Sequence, residues 1–203
     1  MKGLIINDLL VIKKCSKQYL IFILFFILLS FASNIPLFLN SMFYMLSVTI
    51  ILGQYMTDTA TGWNIYCTGI PVLRKDYIKA KYYLLAGIML CIFLISILLF
   101  PIIDMLEPTK FLSYIYANID VFSYAVIMFS LSMPIMLKLN PQVAKFITGI
   151  TAGLIAGGSM PFVIEAEYSD PKAIVAFLIL PLSLLIFIIS LKISQRIYDK
   201  KEI

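Results

Sequence analysis

Six apolar runs, each closed by charged or turn-forming residues, outline the chain: roughly Gln18–Leu39, Ser41–Thr57, Tyr82–Ile103, Ala117–Leu137, Phe146–Ile164 and Ala173–Leu191. Each is close to the ~20 residues a helix needs to cross the hydrocarbon core of a bilayer. A backbone in lipid must satisfy its own hydrogen bonds, so such runs predict helices. The pattern therefore predicts an all-α polytopic membrane protein with six transmembrane helices, with a tight turn near Asn40 between the first two. The first run is too long for a removable signal peptide and lacks a small-residue cleavage site, so it reads as a retained helix. Pro134 and Pro181 fall in the fourth and sixth runs and predict kinks.

Composition agrees with the pattern. Hydrophobic residues make up 62%, charged residues 13%, and the mean hydropathy is +0.99. A soluble core needs a polar shell that this composition cannot supply. With 203 residues and six spans there is room for one membrane domain, 1–203, and no soluble appendage.

The basic residues set the orientation. With the N-terminus inside, the cytoplasmic segments hold Lys2, Lys13, Lys14, Lys17, Arg74, Lys75, Lys79, Lys81, Lys138, Lys145, Lys192, Arg196, Lys200 and Lys201, and the outer loops hold only Lys110 and Lys172. Both termini are expected in the cytoplasm of a cell-membrane protein. The net charge of +5 then reflects topology and contact with anionic lipid. No basic surface with stacking aromatics in water is present, so no nucleic-acid partner is expected.

The opening residues, 1–17, place Ile5, Leu9, Ile12 and Ser16 on one helical face, with Lys13, Lys14 and Lys17 opposite. They read as an interfacial helix on the inner leaflet, or as the basic flank of the first span. In the fifth run Gly149, Gly153 and Gly157 recur at four-residue spacing, which lets another helix approach closely. That stripe fits either a subunit seam or ordinary packing within one bundle. Asn34, Thr49 and Gln54 are polar points in otherwise apolar spans and are candidates for a transport pathway, or positions that merely face lipid.

Several chemistries are absent. The chain has no His, which removes His-based metalloprotease motifs, Ser-His-Asp triads and His proton shuttles. Cys15 and Cys67 are expected inside the cell and Cys91 within a span, which predicts no disulfide, and the spacing predicts no metal site. No pair of carboxylates lies within a span, which argues against an ion-coupled carrier. No catalytic residues stand out. There is no GxxxxGK[ST] phosphate loop, so if the protein moves something uphill the energy must come from elsewhere, and a separate ATPase acting on a cytoplasmic loop would fit.

The segment Thr57–Lys81, TDTATGWNIYCTGIPVLRKDYIKAK, is polar between two apolar runs and carries the only Trp. Trp63, Tyr66, Cys67 and Ile70 fall at i, i+3, i+4 and i+7, one face of a short helix. Gly62 lies near its start and Pro71 ends it. Arg74, Lys75 and Asp76 follow, and a helix then continues through Ile78 into the third span. Trp and Tyr are frequent binding anchors. The blander reading makes them interfacial belt residues beside a positive-inside cluster.

At these residues the chain resembles the small six-span permeases of ABC-2 type transporters. Asp58, Gly62, Trp63, Tyr66, Ile70-Pro71-Val72, Arg74-Lys75-Asp76 and Lys81-Tyr82 match the family pattern, as do Gly3, Leu4 and Asp8 at the N-terminus. Leu73 departs from the usual Ser or Thr. The resemblance implies a permease that pairs with a second one, identical or related, above ABC ATPase subunits that bind ATP and Mg. It makes 58–81 a coupling segment seated in the ATPase, and this chain itself needs no cofactor. The nearest likeness is to bacterial exporters of phenol-soluble modulins and antimicrobial peptides, which implies export of amphipathic peptides or lipophilic compounds. The alternative is a non-transporting membrane anchor or immunity protein that binds a partner through the same loop.

Overall fold

The computed structural model describes residues 2–14, 16–33, 36–63, 66, 74–103, 110–139, 141–159, 161 and 173–200. Seven long helices run through them: α1 (Lys2–Lys14), α2 (Ser16–Ser33), α3 (Pro36–Ala60), α4 (Arg74–Ile103), α5 (Lys110–Lys138), α6 (Pro141–Gly158) and α7 (Ala173–Asp199). No strand occurs among the described residues.

Among the described residues three helices are long and apolar enough to cross a membrane, within Arg74–Leu98, Ser113–Lys138 and Phe177–Asp199. They are the expected third, fourth and sixth spans. The expected fifth span falls on α6, whose apolar stretch Val143–Gly158 is shorter, and the first two fall on α2 and α3. Leu90, Leu94 and Leu98 on α4, and Phe177, Leu182, Leu185 and Ile189 on α7, are exposed and offer apolar surface to hydrocarbon.

Two boundaries differ from the sequence pattern. Asn40 is not a turn: α3 starts at Pro36, a residue preorganised for a first helical turn, and Asn40 lies inside the helix. Its amide is buried and donates to the Tyr114 hydroxyl on α5 at 2.5 Å, so an interhelical partner satisfies a residue that sequence alone reads as a break. Beyond Leu191, where the last apolar run ends, α7 continues for two further turns to Asp199. Helix α5 ends at Lys138 and α6 starts at Pro141. Helices α5 and α7 run on through Pro134 and Pro181.

The core lies among α3, α4, α5 and α7, around Tyr44, Ile51, Leu85, Met89, Phe129 and Met133. The closest packing is α5 against α7, while α2 packs mainly on α3. Lipid tails are as apolar as Leu, so small side chains and interhelical hydrogen bonds add the specificity here. Asn118 on α5 accepts from Tyr44 of α3 at 3.0 Å and donates to Ser96 of α4 at 2.6 Å. Tyr82 of α4 reaches Ser190 and Ser194 of α7 at 2.7 and 2.8 Å, and Ser190 donates to the Ser130 carbonyl of α5 at 2.5 Å. Replacing Asn118 by Leu removes both of its bonds and leaves Tyr44 and Ser96 without that partner. The expected loss is about 1–2 kcal/mol, read as a lower midpoint when the purified protein is unfolded in mixed detergent micelles.

Candidate functional site

Asp58 sits in the last turn of α3 and Lys81 two turns into α4, so the polar segment leaves and returns at neighbouring points. The Lys81 side chain is fully buried, with its Nζ 2.8 Å from Asp58 Oδ2 and 2.8 Å from Asp8 Oδ1 on α1. Tyr77, one turn before Lys81, donates to Asp58 Oδ2 at 2.6 Å, and its ring lies 5.4 Å from the ammonium. Gln54 donates to the backbone carbonyl of Asp8 at 2.8 Å. Three segments far apart in sequence thus meet at one ammonium. Burial of a charge is tolerated only with such pairing.

Two carboxylates face one ammonium, and the balance shows at Asp8. Burial pushes its carboxyl above the ordinary range; Lys81 opposes this by charge and by hydrogen bond, and the Asp58 charge adds to the upward shift. Burial outweighs the 2.8 Å contact because the single cation is shared by two acids.

Beyond Asp58 the chain makes one more turn and then breaks. Gly62 has φ +72°, a left-handed conformation that suits glycine. A helical hydrogen bond then restarts, with the Tyr66 N–H donating to the Gly62 carbonyl at 3.0 Å. The Trp63 and Tyr66 rings stack 5.3 Å apart at 28°. Trp63 is half-buried against the core, while Tyr66 is 62% exposed. Cys67, Ile70, Pro71 and Leu73 lie outside the described residues.

On the return, Arg74 is exposed at the first position of α4. Lys75 pairs with Asp199 of α7 at 3.2 Å, and Asp76 with Lys79 at 3.7 Å. The Tyr77 ring stacks on buried Tyr198 of α7 at 5.3 Å. A cavity of about 600 Å³ opens beside this platform, walled by Asn7, Val11 and Lys14 of α1, Lys17 of α2, and Thr61 and Trp63.

The face of α1 differs from the expected one. Leu4 and Asp8 are buried, and Ile5 and Ile12 pack on the core, but Leu9 is exposed together with Ile6 and Leu10. The shared face is therefore divided, with Ile5 and Ile12 against the core and Leu9 away from it, while Asp8 turns inward to meet Lys81. The same contact places Lys81, counted in the sequence with the orienting cations, out of water altogether.

The remaining sequence candidates are scattered. Gln54 belongs to the α1 contact, Thr49 bonds back to the Met45 and Leu46 carbonyls of its own helix, and Asn34 lies outside the described residues. Gly149, Gly153 and Gly157 of α6 have no atom within 4 Å of where a Cβ would stand, so the stripe looks away from the chain's own helices. Gly158 differs, since Tyr124 of α5 lies over it and donates to the Leu154 carbonyl at 3.1 Å. Asp8, Tyr77, Lys81 and Asp199 were missed as a set. The available signal was a lone acid in an apolar N-terminal stretch and a lysine at the mouth of a span, each costly there without a partner.

Apolar helices around interhelical polar contacts, with an ionic knot and an exposed aromatic step at one end, define a polytopic helical membrane protein. The chain belongs to the ABC-2 family of transporter proteins, which it matches over residues 3–199. It is thus a membrane component of an ABC transporter and not an ATPase domain, and the family works with an ABC ATPase subunit. No curated protein matches the chain. No solved structure matches it either.

The pH dependence of stability carries the signature of Asp8. Its folded-state pKa is raised, so the stability it contributes is full below the unfolded value of about 3.9 and is lost as pH rises through the folded value. Lowering pH from about 8 toward about 5 is therefore expected to stabilise the wild type relative to Asp8→Asn. Thermal unfolding of the two proteins across that range in detergent checks the sign.

Proposed function

We propose that this chain is the permease subunit of an ATP-driven bacterial exporter, and that residues 58–81 are the segment on which its ATPase docks. The family match over residues 3–199 is the observation that carries the reading, and it favours a permease over a non-transporting anchor. The exposed Tyr66 on stacked Trp63, followed by exposed Arg74, supports the placement of the docking surface. An aromatic step flanked by a cation is the kind of anchor that dominates protein interfaces.

In this reading the bundle has six spans, with α1 as the interfacial helix and both termini in the cytoplasm. Asp58, Gly62, Trp63, Tyr66, Ile70, Pro71, Arg74, Lys75 and Asp76 form the coupling segment. ATP and Mg are held by the partner ATPase, whose closure tilts the bundle between inward- and outward-facing states. A second permease, identical or related, completes the pathway. The outward glycine stripe of α6, with exposed Phe146 and Ile150 beside it, supports a seam along that helix. The exported material is amphipathic peptide or lipophilic compound, supported by the Phe-, Met- and Leu-rich spans, which can adapt to irregular apolar cargo.

Co-purification with the ATPase encoded beside the permease tests the docking assignment. Trp63→Ala and Arg74→Glu are each expected to weaken association about tenfold or more, with the permease still monodisperse in detergent. Unchanged association in both variants removes the assignment. Reconstituted transport of a labelled amphipathic peptide against a panel of lipophilic drugs tests the cargo.

A further inference from the structure

The contact among Asp8, Asp58 and Lys81 does more than close one end of the bundle. The polar segment departs within one turn after Asp58 and returns at Arg74, two turns before Lys81. A single Nζ at 2.8 Å from each acid therefore holds both stems and α1 together. We propose that this triad is a rigid joint: when the docking segment is pushed, α1, the end of α3 and the start of α4 move as one body, with Lys81 as the positioning residue. The proposal rests on the reading of residues 58–81 as the surface the ATPase pushes.

Three observations support the joint. First, all three side chains are withdrawn from water, so separating any stem leaves a buried charge without its partner. Second, α1 is tethered twice through one residue, by the Asp8 carboxylate to Lys81 and by the Asp8 carbonyl to Gln54. Its other attachments are the apolar contacts of Leu4, Ile5 and Ile12, which allow sliding far more readily than an ion pair does. Third, Tyr77 bonds Asp58 and stacks on Tyr198, which fixes the first turns of α4 against both α3 and α7. A push on the segment between the stems then cannot be absorbed by splaying them, and it passes into the helices.

The test uses the full-length permease with Cys15, Cys67 and Cys91 replaced by Ser, reconstituted with its ATPase. Spin labels are placed at the exposed positions Lys13 and Ala60, within the proposed body, and at Lys13 and Lys138, from that body to α5. Pulsed electron resonance compares the nucleotide-free complex with the complex trapped by ATP and vanadate. The expected result is an unchanged Lys13–Ala60 distance and a shifted Lys13–Lys138 distance. In the neutral variant carrying Asp8→Asn, Asp58→Asn and Lys81→Met, the Lys13–Ala60 distribution is expected to broaden or shift on trapping while the ATPase still binds. Lys81→Arg, which keeps the charge, is expected to preserve the wild-type pattern.

A wild-type Lys13–Ala60 distance that changes as much as Lys13–Lys138 overturns the joint and leaves docking intact, and this readout does not depend on any variant folding. A neutral variant that behaves as wild type overturns it as well. If the ATPase binds the wild type but neither distance responds, the joint transmits nothing and is overturned. If the ATPase does not bind at all, the docking reading fails, and the joint's role in it fails too.

Discussion

A lysine ammonium without water sets the terms for one end of this helical bundle. Lys81 is fully buried, and a buried cation is tolerated only if anions come to it. Asp58 arrives from α3 and Asp8 from α1, each at 2.8 Å. Once those contacts form, the rest of this end follows. The helix α1 must turn its acid inward, the two stems of the polar segment must sit side by side, and Tyr77 must lie across the ammonium to complete the shell around Asp58. The other end obeys a milder rule. There Asn40 bonds Tyr114, and Asn118 links Tyr44 to Ser96, all by neutral hydrogen bonds between helices, which fixes rotation without burying net charge.

The sequence shows helices well and partnerships poorly. Long apolar runs can only be helices in lipid, and the runs containing Leu85, Phe129 and Phe187 appear as α4, α5 and α7 with close boundaries. The order from Asp58 through Trp63 to Arg74 stands out as a candidate segment because few other polar stretches interrupt the apolar pattern. Asn40 misleads, since an amide in an apolar run signals a turn unless a hydroxyl from another helix is waiting for it, and Tyr114 lies 74 residues away. Asp8 is hidden for the related reason that periodicity follows apolar residues and cannot see that an acid has a buried partner. The charged residues Lys75 and Asp199 are separated by most of the chain, and their pairing depends on α7 continuing beyond its apolar part.

The site divides into parts with different physical characters. The knot beneath the polar segment is buried and rigid, whereas Tyr66 and Arg74 stand in the open. Gly62 separates the two. Its left-handed backbone ends α3 and lets Trp63 fold back on the core while Tyr66 projects away from it. A contact surface held on a firm base needs little ordering when a partner arrives, which reduces the entropic cost of binding.

The far end of α7 bears on how the molecule is made. Tyr198 stacks beneath Tyr77, and Asp199 grips Lys75, so the platform under the polar segment includes residues that emerge after all the other described helices. During synthesis the segment emerges long before its support exists. A nascent chain therefore carries Trp63 and Tyr66 on an unfinished base, which is completed only when α7 is in place. A partner that reads this end of the bundle is thereby offered its finished form only by complete bundles and not by partial ones.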